Sequence, residues 1–66
     1  MKPKYPNITV NLSDRDGNAF AILRRVRKAM RRAGISEEEI TEFSHEAMSG
    51  DYDHLLQTVM RTVETE

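Results

Sequence analysis

The sequence predicts an α+β domain, with three short helices packed on a minimal two-stranded sheet formed by the N- and C-terminal segments. Three observations predict it: a period-two alternation over residues 8–12, three amphipathic helical stretches parted by Gly34 and Gly50, and a Thr- and Val-containing tail over residues 62–66. A three-helix bundle with an extended N-terminal arm is the alternative, should the tail not pair. Residues 1–6 hold two lysines and two prolines and are expected to form a flexible basic arm, with residues 7–66 as the single globular domain.

Ile8-Thr9-Val10-Asn11-Leu12 alternates apolar and polar side chains, the pattern of a strand with one buried face. Residues 13–18 are a run of turn formers, in which Asn18 is placed to cap the helix that follows. From Ala19 to Ala33, a rotation of about 100° per residue gathers Ala19, Ile22, Leu23, Val26, Ala29, Met30 and Ala33 on one face and every cation on the other. Phe20 falls beside the basic face, and Gly34 supplies a left-handed helix end.

Ser36 followed by Glu39 is a capping box, and Ile35 and Ile40 are spaced as a hydrophobic staple. Glu37, Glu38 and Glu39 lie at the positive end of that second helix. Its predicted buried face is Ile40, Phe43, Ala47 and, less centrally, Met48; Ser49 and Gly50 stop it. Asp51 caps a third helix, whose expected buried face is Tyr52, Leu55, Leu56, Val59, Met60 and Val63. The tail is expected to pair with the first strand, because a lone strand leaves its backbone polar groups unpaired.

Size and composition exclude several classes of function. The 66 residues are 38% apolar and 32% charged, so the core is small and leaves little room for a buried catalytic site. With no cysteine there is no disulfide framework, thiolate metal site or thiol nucleophile, which favours the cytoplasm. The longest apolar run is five residues, against the roughly 20 that a membrane helix needs. Prolines and Asn7 follow Lys2 and Lys4 where a signal peptide would turn apolar.

Charge divides along the chain. Residues 1–33 carry nine cations against two aspartates, a net +7, and residues 34–66 carry one arginine against nine carboxylates, a net −8. The two halves either neutralise each other in the fold, meet partners separately, or pair between molecules. Arg24, Arg25, Arg27, Lys28, Arg31 and Arg32 form a candidate surface for nucleic acid or an acidic partner, although base-stacking aromatics other than Phe20 are missing around it. A helix–turn–helix is excluded, since its recognition helix would open Asp51-Tyr52-Asp53-His54 against phosphates.

Other constellations fail on spacing. A calcium loop through Gly17 would put Leu12 and Leu23 where acidic ligands belong. His45 and His54 lie near Glu42, Glu46, Asp51 and Asp53, yet both point away from the apolar faces and are expected to be solvated rather than metal ligands. Ser44 and His45 are adjacent and so about 100° apart on a helix, which prevents a nucleophile–base pair. No cofactor, metal or catalytic residue is predicted.

Two stretches resemble a known group of proteins. Asp16-Gly17-Asn18-Ala19-Phe20 followed by Ile22-Leu23, and Ser49-Gly50-Asp51-Tyr52-Asp53-His54-Leu55-Leu56-Gln57-Thr58, are similar to a family of short uncharacterised proteins of bacteria, their phages and other mobile elements. The resemblance spans about residues 6–63. It implies a phage or mobile-element origin and brings no activity. The expectation is therefore a non-catalytic interaction protein with a protein partner, a host factor if the gene is phage-borne. Glu42, Glu46, Asp53 and His54 form the candidate protein-contact surface.

Overall fold

Alternation, helical periodicity and capping residues resolve into β1 (Tyr5–Val10), α1 (Ala19–Arg32), α2 (Glu37–Ala47), α3 (Tyr52–Thr62) and β2 (Val63–Thr65). The computed structural model describes residues 3–12 and 19–66. The turn expected at residues 13–18, the Asn18 cap and the first three residues of the Asp16–Phe20 stretch lie outside the described residues. β1 and β2 pair in parallel, with Tyr5 opposite Val63, Thr9 opposite Glu64 and Val10 opposite Thr65. A parallel pair needs a long crossover, and here the three helices supply it. The architecture is the predicted α+β arrangement, not the three-helix bundle.

The strand boundaries shift from those expected. β1 starts at Tyr5 and ends at Val10, so it takes in the last two residues of the segment read as an arm and leaves out Asn11 and Leu12. Backbone pairing sets these limits. The Lys4 amide donates to the Arg61 carbonyl at 2.8 Å, which draws the chain alongside β2 before the alternating stretch begins. Pro6 has no N–H to offer and is accommodated because both strands of a two-stranded sheet are edges. The register breaks between Tyr5 and Thr9, where β1 carries extra residues against β2. Beyond the strands, Glu66 donates to Val10 at 3.0 Å and Leu12 to Glu66 at 3.2 Å.

Both helix junctions follow the chemistry of their residues. At the end of α1, the Ile35 amide donates to Met30 and the Gly34 amide to Arg31, the paired bonds of a Schellman motif around Gly34 at φ 87°. Ser36 caps α2 by accepting the Glu39 amide at 3.3 Å. Asp51 caps α3 by accepting the His54 amide at 2.9 Å.

The core joins Ile8, Val10 and Val63 of the sheet to Leu23, Val26 and Met30 of α1, Ile40, Phe43 and Ala47 of α2, and Leu55 and Val59 of α3. Fully burying each large apolar side chain contributes about 1.5–3 kcal/mol. Four side chains depart from the expected faces. Tyr52 and Met60 are exposed on α3, as is Met48 at the end of α2, and Ala33 is exposed beyond α1. The buried positions of α3 are Leu55, Thr58 and Val59, a narrower stripe that replaces Met60 with a threonine. Thr58 is buried without penalty because its hydroxyl donates to the His54 carbonyl one turn back at 2.8 Å.

Candidate functional site

Six cations line the outer side of α1, as periodicity predicts, and all are exposed. Phe20, Arg24, Arg27, Lys28 and Arg31 recur at helical spacing, forming one stripe headed by an aromatic ring. Two of the six cations make hydrogen bonds or ion pairs with other described residues. Arg31 makes a bidentate pair with Glu37 at 2.7 and 3.1 Å, and Arg25 donates to the Asn11 carbonyl at 2.8 Å, tying α1 to the end of β1. The hydrogen bond and the charge of Arg31 hold the Glu37 carboxyl below its usual range, and Glu37 in turn raises Arg31. Arg31–Glu37 is the one ion pair that links the basic and acidic halves among the described residues. Among the described residues, the direct charge contacts between the two halves thus come down to this pair, to which the nearby charge of Arg27 adds.

The acidic candidates fall into two groups. Glu42 and Glu46 stand one turn apart on α2 and share a shallow depression with Thr41, His45 and Ser49. Asp53 is exposed on the first turn of α3. His54, expected to be solvated, is instead half-buried, and it is the centre of the α2–α3 corner. Its Nε2 lies 3.0 Å from the Glu46 carbonyl, 3.0 Å from Glu46 Oε2 and 3.2 Å from Ser49 Oγ. Both Glu46 atoms are acceptors only, so Nε2 carries the hydrogen. Ser49 Oγ also donates to the Glu46 carbonyl at 2.7 Å, and a donor at this carbonyl suits the negative end of α2.

This corner accounts for most of the Ser49–Thr58 stretch on physical grounds. A Cβ on Gly50 would lie 2.9 Å from His54 Cβ and 2.9 Å from its Cγ. Gly50 is therefore the floor on which the imidazole rests, and its φ is not positive. Asp51 caps, His54 binds back to α2, and Thr58 closes on the His54 carbonyl. Asp53 makes no hydrogen bond or ion pair among the described residues.

Two further features went unseen in the sequence. Tyr5 donates its hydroxyl to Glu39 Oε2 at 2.6 Å, with Lys4 Nζ 5.4 Å from the ring centre. That hydrogen bond, then burial and the charges of Glu39 and Glu42, push the phenol up to about 12. The signal available was the tyrosine itself, in a segment read as an arm. The second feature is an apolar cleft of about 160 Å³ where the start of α1 meets the α2–α3 corner, lined by Ala19, Phe20, Leu23, Ala47, Met48, Gly50, Asp51, Tyr52 and Leu55. Phe20, Met48 and Tyr52 are 62%, 53% and 41% exposed around it.

The remaining chemistry is quickly described. Ser44 Oγ donates to the Ile40 carbonyl at 3.0 Å, away from His45. No three His, Cys, Asp or Glu side chains converge to hold a metal ion among the described residues, and no helix among them is long and apolar enough to cross a membrane. Comparison with family models, with curated proteins and with solved structures returns no match.

Proposed function

We propose that this chain is a non-catalytic interaction protein that binds a protein partner through its charged surfaces. One observation carries the proposal: the carboxylates of Glu42 on α2 and Asp53 on α3 are exposed with no cation among the described residues paired to them, and Met48 and Tyr52 at the corner joining these helices expose apolar side chains. Met and aromatic side chains inside a polar rim are the composition that protein interfaces favour. The partner face is correspondingly basic with apolar anchors. The resemblance of the two stretches to mobile-element proteins supports a host factor as that partner, and the lack of cysteine supports a cytoplasmic setting.

A second reading has its own observation. Arg24, Arg27 and Lys28 are exposed on one stripe of α1 with no ion pair among the described residues, a surface that suits phosphates. One pair of experiments separates the two. Labelled duplex and single-stranded DNA and RNA are titrated by fluorescence anisotropy at about 50 and about 200 mM salt. In parallel, immobilised protein captures partners from a bacterial lysate. The expected result is capture that E42K/D53K abolishes and R24Q/R27Q/K28Q preserves. Salt-sensitive nucleic-acid binding lost in R24Q/R27Q/K28Q, with capture unaffected by E42K/D53K, would overturn the proposal in favour of α1.

A further inference from the structure

A groove of about 320 Å³ lies between α2, α3 and the start of β1. Met30 and Phe43, both buried, form its floor. Glu39, Glu42 and Glu46 line one wall. Spaced three and four residues apart, they share a face of α2 and span about 10 Å along it.

The hydrogen-bonding capacity left in this groove is of one kind. The three hydroxyls of its lining are already donating: Tyr5 to Glu39 Oε2 at 2.6 Å, Thr58 to the His54 carbonyl at 2.8 Å and Thr62 to the Thr58 carbonyl at 2.7 Å. The carboxylates, which only accept, keep oxygens open. Glu39 and Glu46 each use Oε2, for Tyr5 and for His54, and Glu42 makes no hydrogen bond or ion pair among the described residues. Lys4 is the single cation of the lining; its Nζ stands 5.4 Å from the centre of the Tyr5 ring and pairs with none of the three. The charges of Glu39 and Glu42 both act on the Tyr5 phenol, so their field is felt inside the groove.

We infer that this groove receives an arginine side chain of the basic protein partner. The inference rests on the partner proposed above and names the residue that its acidic side takes. A wall of open acceptors calls for a cation with donors and no acceptor, which is a lysine or an arginine. Carboxylates set out along a helix favour arginine, whose planar fork grips one of them with two parallel bonds and still has N–H groups for a neighbour, whereas the donors of lysine radiate from one point. Glu42, central and with both oxygens open, takes the fork. The methylene stem lies over Met30 and Phe43.

Two-dimensional proton–nitrogen NMR of the full chain tests the inference, with acetyl-Ala-Arg-Ala-amide and acetyl-Ala-Lys-Ala-amide as probes up to about 20 mM, past the millimolar range of a single weak contact. The arginine probe is expected to shift the amides of Glu42, Phe43 and Glu46 and to bind about fivefold more tightly than the lysine probe. E42Q is expected to weaken the arginine probe about fivefold, its own spectrum reporting that it is folded, and D53N, outside the groove, to leave it unchanged. No shifts at these amides, equal affinity for the two probes, or an affinity unchanged in E42Q would each overturn the inference. The probes need no lysate, so the two readings fail separately. Capture that E42K/D53K abolishes, with no probe bound, keeps the partner and removes the groove; a bound arginine probe with no capture keeps the arginine site and removes the partner.

Discussion

Replacing Gly50 with alanine tests the α2–α3 corner at its tightest point. The new Cβ would meet His54 Cβ and Cγ at 2.9 Å and Cδ2 at 3.1 Å, where carbon atoms settle at about 3.5–4.0 Å. His54 cannot swing away cheaply, because its Cβ is attached to a first turn held by Asp51 at 2.9 Å. Overpacking of this kind costs about 1–3 kcal/mol, and displacing Nε2 from Glu46 adds the net value of a hydrogen bond, about 1 kcal/mol. The smaller unfolded-state entropy of alanine returns about 0.4–1 kcal/mol. The expected net loss is about 2 kcal/mol, a fall in Tm of roughly 8–16 °C for a domain of this size. In the H54G background, which removes the His54 Cβ as well as its ring, the obstruction is gone and the φ of Gly50 is not positive. There the same substitution should be neutral or stabilising by up to about 1 kcal/mol. Urea unfolding of the four proteins, followed by far-UV circular dichroism, reads the cycle directly. An equal loss in both backgrounds would refute the contact with His54 as the reason for glycine at this position.

Two other predictions concern side chains whose roles come from tertiary contacts. The Tyr5 phenol, raised to about 12 by Glu39, favours its neutral form in the fold. Its contribution to stability is therefore full below its ordinary value of about 10 and is lost as pH climbs from there through 12. Ultraviolet titration should place this tyrosine near 12, and E39Q should bring the transition down; an unchanged transition in E39Q would remove Glu39 as the cause. Thr58→Val removes a buried hydroxyl whose acceptor, the His54 carbonyl, belongs to the same helix. It should change stability by less than about 1 kcal/mol in denaturant melts, and a loss beyond about 2 kcal/mol would mean that the hydroxyl does more than satisfy itself.

The elements with local causes were legible in the sequence. Ser36, Asp51 and Gly34 act within a few residues of themselves, and the structure places them as caps and a helix end. The alternation of Ile8, Val10 and the valine of the tail marked the two strands. Their parallel orientation was not legible, because it depends on how three helices carry the chain back across the core. The face of α3 was misjudged where hydropathy and packing disagree. Met60 is apolar but lies outside the contact stripe, and Thr58 is polar but has its partner supplied by the helix. His54 was misjudged because its partner, Glu46, is eight residues away around a corner. The basic stripe was visible as a pattern, yet which of its cations pairs with the acidic half, Arg31 with Glu37 among the described residues, depends on side-chain distances that composition does not contain.

The pairing of the chain's two terminal strands also has a mechanical meaning. β1 and β2 run in the same direction, and they are linked by backbone bonds from Lys4 to Arg61 at one end and between Val10, Leu12 and Glu66 at the other. Tension applied between Lys4 and Glu66 pulls the strands past each other along their own axes. The ladder is then loaded in shear, so its bonds share the force and must fail together, whereas an antiparallel pair pulled from the same side peels open one bond at a time. Val63, fully buried at the start of β2, adds the core to that resistance. A domain this small is thus better protected against being drawn out by its ends than its modest core suggests.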